Sequence, residues 1–259
     1  MQFLEQAPKT TLARLRGLVF DLDDTFLDHG RLDVRAYTAL DKLKQAGLVL
    51  LVATGRPAGW GEVLTRMWPI DAAVSENGAI AHLALSHGVE RLDTLSLEAR
   101  RTARQKLAAI AAQVERDFPE LTGTDDAHAR ISDITYDIGE RQQLPATTVA
   151  RVVDLAHSLG AHTSVSSVHL HLTLDRHDKA TGCLHVLRER FSQDSTRALS
   201  DFAFIGDSGN DRACFAAFRT SIAVANLTGT PTLLPAYVTR AERSQGFVEA
   251  AELLLQARR

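Results

Sequence analysis

Residues 17–25 read Gly17-Leu18-Val19-Phe20-Asp21-Leu22-Asp23-Asp24-Thr25. Four apolar residues without alternation predict a short strand buried on both faces, and it ends abruptly in carboxylates. The pattern recurs along the chain. Leu48 to Ala53 is a second buried-strand candidate, ending in Thr54-Gly55-Arg56-Pro57. Asp71 to Val74 leads into Ser75-Glu76-Asn77-Gly78-Ala79, and Phe202 to Ile205 into Gly206-Asp207-Ser208-Gly209-Asn210-Asp211. Ser221 to Ala225 is a further strand. Helical patterns lie between them. Asp33 to Ala46 places Tyr37, Leu40 and Leu43 on one face before Gly47, and a shorter pattern stops at Pro69. Lys179 to Phe191 and Gly246 to Ala257 follow later. Strand alternating with helix predicts an α/β fold with a mostly parallel, doubly wound (Rossmann-like) sheet. Ligands of such sheets bind beyond the carboxyl ends of the strands, where these polar clusters fall.

The middle of the chain has another rhythm. Leu97 to Phe118 is a long Arg- and Ala-rich helix pattern. Strand-like stretches follow, roughly Ala129 to Tyr136 among them, then a helix from Thr147 to Leu159 and strands at His162 to Ser166 and Val168 to Leu174. The order helix, strand, strand, helix, strand, strand predicts an inserted α+β unit with an antiparallel sheet. The division is 1–92 and 177–259 for the α/β core and 93–176 for the insert.

Composition narrows the function. In 259 residues, 45% hydrophobic and 24% charged side chains describe an ordinary globular chain. A net charge of −3 supplies no basic field for nucleic acid phosphates, so no nucleic acid partner is expected. The apolar runs are strand-length, which predicts no membrane association, and the first residues lack a signal-peptide pattern. A soluble cytoplasmic protein, monomeric or a small homo-oligomer, is the expectation. Cys183 and Cys214 lie in separate helical patterns and predict two buried thiols rather than a zinc site or disulfide.

Asp21, Asp23 and Asp24 repel one another unless a cation or a raised pKa relieves them. A turn-forming surface cluster is the plainer alternative, weakened by the polar clusters at other strand ends. Asp21, Asp207 and a backbone carbonyl make an oxygen-rich set that suits Mg²⁺. Asp211, one helical turn beyond Asp207, fits either as ligand or as support. Thr54 and Gly55 offer a hydroxyl and an open backbone N–H to a phosphate oxygen. Lys179 opens a helix, where an anion is welcome, and is one of only five lysines among twenty-nine basic residues.

Together these clusters resemble the haloacid dehalogenase (HAD) superfamily. Phe20-Asp21-Leu22-Asp23-Asp24-Thr25 looks like its DxDxT motif, Thr54-Gly55-Arg56 its second motif, Lys179 its third and Gly206 to Asp211 its fourth, GDSxND, all in family order. The insert is similar to a type IIB cap. Ser75 to Ala79, and Ser166-Ser167-Val168-His169-Leu170-His171 ahead of Asp178-Lys179, look like the Cof, sucrose-phosphatase and trehalose-phosphatase branch. Asp24 stands where that branch commonly has glycine.

The resemblance implies a Mg²⁺-dependent phosphatase acting on a small phosphorylated metabolite, a sugar phosphate first among them. Asp21 would be the nucleophile and Asp23 the acid and base. Thr54, Gly55, Lys179 and Asn210 would bind or brace the phosphoryl group. Asp21, the Asp23 carbonyl and Asp207 would hold the metal, with Asp211 a further ligand or orienter. Arg56, Asn77 and His169 are candidates for substrate contacts. The strand 168–174 puts His169, His171 and Thr173 on one face. The expectation is a solvated His171, with His169 open between cleft and solvent. Arg130, Asp137 and Glu140 are weaker candidates, more often surface charges. A phosphomutase using the same residues, or a silent binding module, are the alternatives.

Overall fold

The strand Gly17–Phe20 is buried at every position, as an apolar run without alternation requires. It lies at the centre of a nine-stranded sheet in the computed structural model, which describes residues 1–166, 168–191, 194–227 and 234–259. The sheet order is Gln2–Phe3, Tyr237–Val238, Thr220–Ala223, Phe202–Gly206, Gly17–Phe20, Val49–Ala53, Ala72–Ser75, Ile80–Leu85, Gly88–Asp93. The first seven run parallel; Ile80–Leu85 pairs antiparallel with the seventh and Gly88–Asp93 antiparallel with Ile80–Leu85. Helices cover both faces over two apolar clusters, one centred on Phe20 and Phe247 and the other on Phe204 and Cys183. This is the expected α/β fold. The antiparallel hairpin 80–93 was not anticipated, because its alternation is broken by Leu85 at an exposed turn and by charged Glu90 and Arg91.

Register fixes the site. Phe20 lies opposite both Ile205 and Val52, so the residues that follow each strand emerge side by side. The Asp21 amide still bonds the Ile205 carbonyl at 2.9 Å. Beyond the motif the chain is anchored by Phe26, whose ring packs 5.2 Å from Phe20, 4.8 Å from Phe247 and 5.1 Å from Trp68. Such ring pairs contribute about 0.5–1.5 kcal/mol each beyond burial.

Residues 97–173 contain the second sheet, antiparallel, in the order His162–Val165, His169–Thr173, Ile134–Asp137, Thr122–Gly123. Helices Leu97–Asp117 and Ala146–Ser158 pack on one face through Leu107, Val114, Tyr136, Val152, Leu170 and Leu172. The opposite face carries Thr135, Asp137, His169 and His171. It is not solvated, contrary to the expectation for His171: His171 is 3% exposed and His169 7%. The expected strand from Ala129 is shorter, because Ala127–Ala129 forms a 3-10 turn and the next four residues bond to the core instead of to a neighbouring strand. Arg100 clamps both crossings between the two units, donating to Asp93 on the way in and to Asp175 on the way out. Among the described residues no helix is long and apolar enough to cross a membrane.

Candidate active site

Four chain segments meet at the carboxyl ends of the central strands. Lys179 is the first residue of helix Lys179–Phe191, whose start is fixed by Asp178 accepting from the Thr181 amide at 2.8 Å. Its ammonium is 1% exposed and donates to Asp21 Oδ1 at 2.5 Å and to Asp211 Oδ1 at 2.7 Å. Burial alone would drive that lysine neutral, but the two carboxylates outweigh it and hold its pKa above the usual range.

Asp211 is fully committed. Its Oδ2 accepts from the amides of Asp207 at 3.0 Å and Ser208 at 3.2 Å, while Oδ1 takes Lys179. Those bonds fold the Gly206–Asp211 turn back on itself. Gly206 is obligatory there, since a Cβ would stand 2.4 Å from Asp211 Oδ2.

Asp21, Asp207 and Asp211 each bring an oxygen within 4.8 Å of the others. Burial, with Asp211 and Asp23 nearby, pushes Asp21 up to about 7 despite Lys179. Burial and the charges of Asp21 and Asp211 push Asp207 up to about 9. Among the described residues the side-chain hydrogen bond to Asp207 comes from a hydroxyl, Thr25 Oγ1 at 3.2 Å. A buried carboxylate pair short of positive charge, with oxygen donors alone, fits a hard divalent cation such as Mg²⁺. Asp21 and Asp207 have capacity for it, whereas the oxygens of Asp211 are already taken.

The second motif is held from behind. The Ser75-Glu76-Asn77-Gly78 turn runs left-handed through three residues, with φ of 49°, 53° and 113° at Glu76, Asn77 and Gly78. Its amides bond the motif's carbonyls: Glu76 to Arg56 at 3.0 Å and Asn77 to Thr54 at 3.1 Å. Thr54 is fully buried, and its Oγ1 accepts from the Arg56 amide at 3.0 Å. Gly55 faces the cleft. Asn77 does not line that cleft: its side chain stands behind Gly55, with Oδ1 buried and without a hydrogen bond.

Glu76 was overlooked in the sequence, where nothing but its place in the turn marks it. Its carboxylate accepts from the amides of Ala58, Ile131, Ser132 and Asp133 and from Ser132 Oγ, at 2.5–3.2 Å. A core carboxylate thus organises the 131–133 loop of the inserted unit. Arg130 in that loop reaches the Gly55 carbonyl at 3.1 Å and pairs with Asp133. Burial pushes Asp133 upward, but Arg130 and His171 hold it below the usual carboxylate range. His171 is pushed down by burial; its Nδ1 sits 2.9 Å from Asp133.

The cleft between the two units has a volume of about 340 Å³, at the small end of the range for metabolite sites. Asp21, Asp23 and Asp207 line its floor, Arg56 and the exposed hairpin residue His29 its sides, and Glu140 and His169 its roof. Arg56 grips Asp23 through Nε and Nη2, at 2.9–3.2 Å, and stacks 4.6 Å over Trp60. Its guanidinium is therefore committed to a neighbouring carboxylate here rather than held free. Asn210 borders the cleft and accepts from Ser208 Oγ at 2.6 Å. Of the 166–171 stretch singled out in the sequence, Ser167 lies outside the described residues. Both cysteines are buried, as expected.

Residues 18–99 match the family model of haloacid dehalogenase-like hydrolases. No curated protein matches the chain in sequence. More than nine-tenths of the chain shares its fold with solved structures at low identity. A Thermoplasma acidophilum protein gives a TM-score of 0.74 at 18% identity, over 93% of this chain and 98% of the other. The sucrose-phosphatase of Synechocystis sp., solved with sucrose and phosphate, gives 0.64 at 18%, over 93% and 98%. A HAD-superfamily phosphatase from Bacteroides thetaiotaomicron gives 0.66 at 17%, over 97% and 98%. The resemblance read from the motifs therefore stands, in the matched segment and in the fold.

Proposed function

We propose that the chain is a phosphomonoester hydrolase that works through an aspartyl-phosphate and takes a compact sugar phosphate or similar small metabolite, with 93–176 serving as the cap over its site. The observation that carries this reading is the buried cluster Asp21–Lys179–Asp211–Asp207 at the floor of a cleft bordered by Asp23 and Gly55. The sucrose-phosphatase and HAD-phosphatase likenesses support the same class.

The residues divide the work. Lys179 occupies Asp21 Oδ1, and no described hydrogen bond reaches Oδ2, which is left to attack phosphorus. The new O–P bond forms as the ester P–O bond breaks, and Asp23 gives its proton to the departing alkoxide. Water then attacks the aspartyl-phosphate while Asp23 takes the proton back, restoring Asp21 and releasing inorganic phosphate. Acid–base help of this kind is worth about 10²–10⁴ in rate. Lys179 and the Gly55 amide neutralise or bond the phosphoryl oxygens, Asn210 braces the turn, and Arg56 orients Asp23. A Mg²⁺ held by Asp21 and Asp207, with the Asp23 carbonyl as third donor, would supply the remaining positive charge at the phosphoryl group.

The test is phosphate release from a panel of sugar phosphates with Mg²⁺, for wild type and Asp21→Asn. Wild type should turn over, and Asp21→Asn should lose activity with its circular dichroism unchanged. Wild-type rates in Asp21→Asn, or an isomerised sugar phosphate in place of free phosphate, would refute the reading.

A further inference from the structure

The roof of the cleft is built rather than incidental. Asp137, the last residue of its strand, accepts from three successive amides: Gly139 at 3.0 Å, Glu140 at 2.8 Å and Arg141 at 2.9 Å. Burial pushes that carboxyl up, but the three amides and nearby His169 outweigh it and hold it below the usual range. The loop carrying Glu140 is thereby fixed. Glu140 Oε2 lies 2.9 Å from Nε2 of His169, which stands opposite Asp137 in the sheet register. The His169 ring meets that of His171 edge-on, with centroids 5.9 Å apart.

The charged side chains around the outer cleft are already engaged. Asp23 is held by Arg56 and Asp24 by Arg243 at 3.2 Å, and Glu140 is hydrogen-bonded to His169. The part of a substrate that projects away from Asp21 therefore meets groups that already have partners. It meets paired groups that both donate and accept hydrogen bonds, which suit hydroxyls.

We infer that Glu140 and His169 are the specificity determinants of this site, positioned by Asp137, and that they select an uncharged, hydroxyl-bearing leaving group against one carrying a second charge of either sign. This rests on the phosphatase reading for the phosphoryl end of the site. A carboxylate or ammonium on the leaving group would have to break an existing pair or lie unpaired beside one.

Three esters of one size test it: glucose 6-phosphate, glucosamine 6-phosphate and 6-phosphogluconate. Binding is read by calorimetry on Asp21→Asn, and kcat/KM on the active chain, with p-nitrophenyl phosphate as the ester lacking hydroxyls. Glucose 6-phosphate should lead both charged analogues about tenfold in affinity and in kcat/KM. His169→Ala and Glu140→Gln should each collapse the ratio of glucose 6-phosphate to p-nitrophenyl phosphate about tenfold, mainly through KM. Asp137→Asn should do so partially, as expected for a residue acting through Glu140. Equal treatment of the three esters, or ratios unmoved in both roof variants, overturns the inference even if phosphate is released. Discrimination in binding without turnover would leave the inference standing and defeat the phosphatase reading instead.

Discussion

Arg56 holds Asp23 by a forked contact while stacking on Trp60. A planar guanidinium fixes a carboxylate in two dimensions; an ammonium on a flexible stem does not. Arg56→Ala should therefore lower kcat by about 10–100-fold with a smaller effect on KM, and Arg56→Lys should recover only part of it. Steady-state kinetics on one good substrate decide this, and full recovery by lysine would show that charge alone matters. The same residue marks a limit of sequence reading. Thr54-Gly55-Arg56 was recognisable as a unit, yet the direction of a long side chain depends on Asp23, thirty-three positions away. Asp21, Lys179 and Asp207 could be found because each sits at a strand end or helix start. Glu76 and Asp133 could not, since the groups they gather come from loops that follow no period; Asp137 was legible as a candidate, but not the three loop amides it collects.

At the scale of elements, the helix that delivers Lys179 packs against the Glu76–Gly78 turn through glycine on both sides. A Cβ on Gly182 would stand 2.5 Å from Gly78 Cα and 2.6 Å from its carbonyl, and one on Gly78 would stand 2.2 Å from the Asp178 carbonyl. Those are backbone neighbours, which cannot step aside as a side-chain tip can. Gly182→Ala should cost about 1–3 kcal/mol by forcing the helix outward. Because Lys179 is one turn away on that helix, the variant should also lose kcat; a lower melting temperature with intact kcat would separate the packing from the chemistry. The strands and helices of the core were readable from apolar runs and their stops. The 130–133 segment was not, because its residues look strand-like in isolation and are recruited by Glu76 instead.

For the whole molecule, the acidic floor sets a pH dependence. Asp21 and Asp207 rise from an ordinary 3.8 to about 7 and about 9 on folding. Between those limits the metal-free folded chain binds more protons than the unfolded chain, so stability present in acid is lost as pH climbs through the two folded values. A divalent cation that binds the ionised pair opposes the loss. Melting temperature in chelator should fall from about pH 6 to about pH 9, and added Mg²⁺ should raise it more at the higher pH. A Mg²⁺ effect independent of pH would exclude these carboxylates as its site. Finally, the four bonds from Ile131, Ser132 and Asp133 to Glu76, together with the Arg100 clamp, tether the two units along one flank, while the cleft reaches the surface beside His29. On the proposed reaction that mouth is the exit. The alcohol, lying nearer to it, departs first, and inorganic phosphate, deepest in the site, is the last to leave.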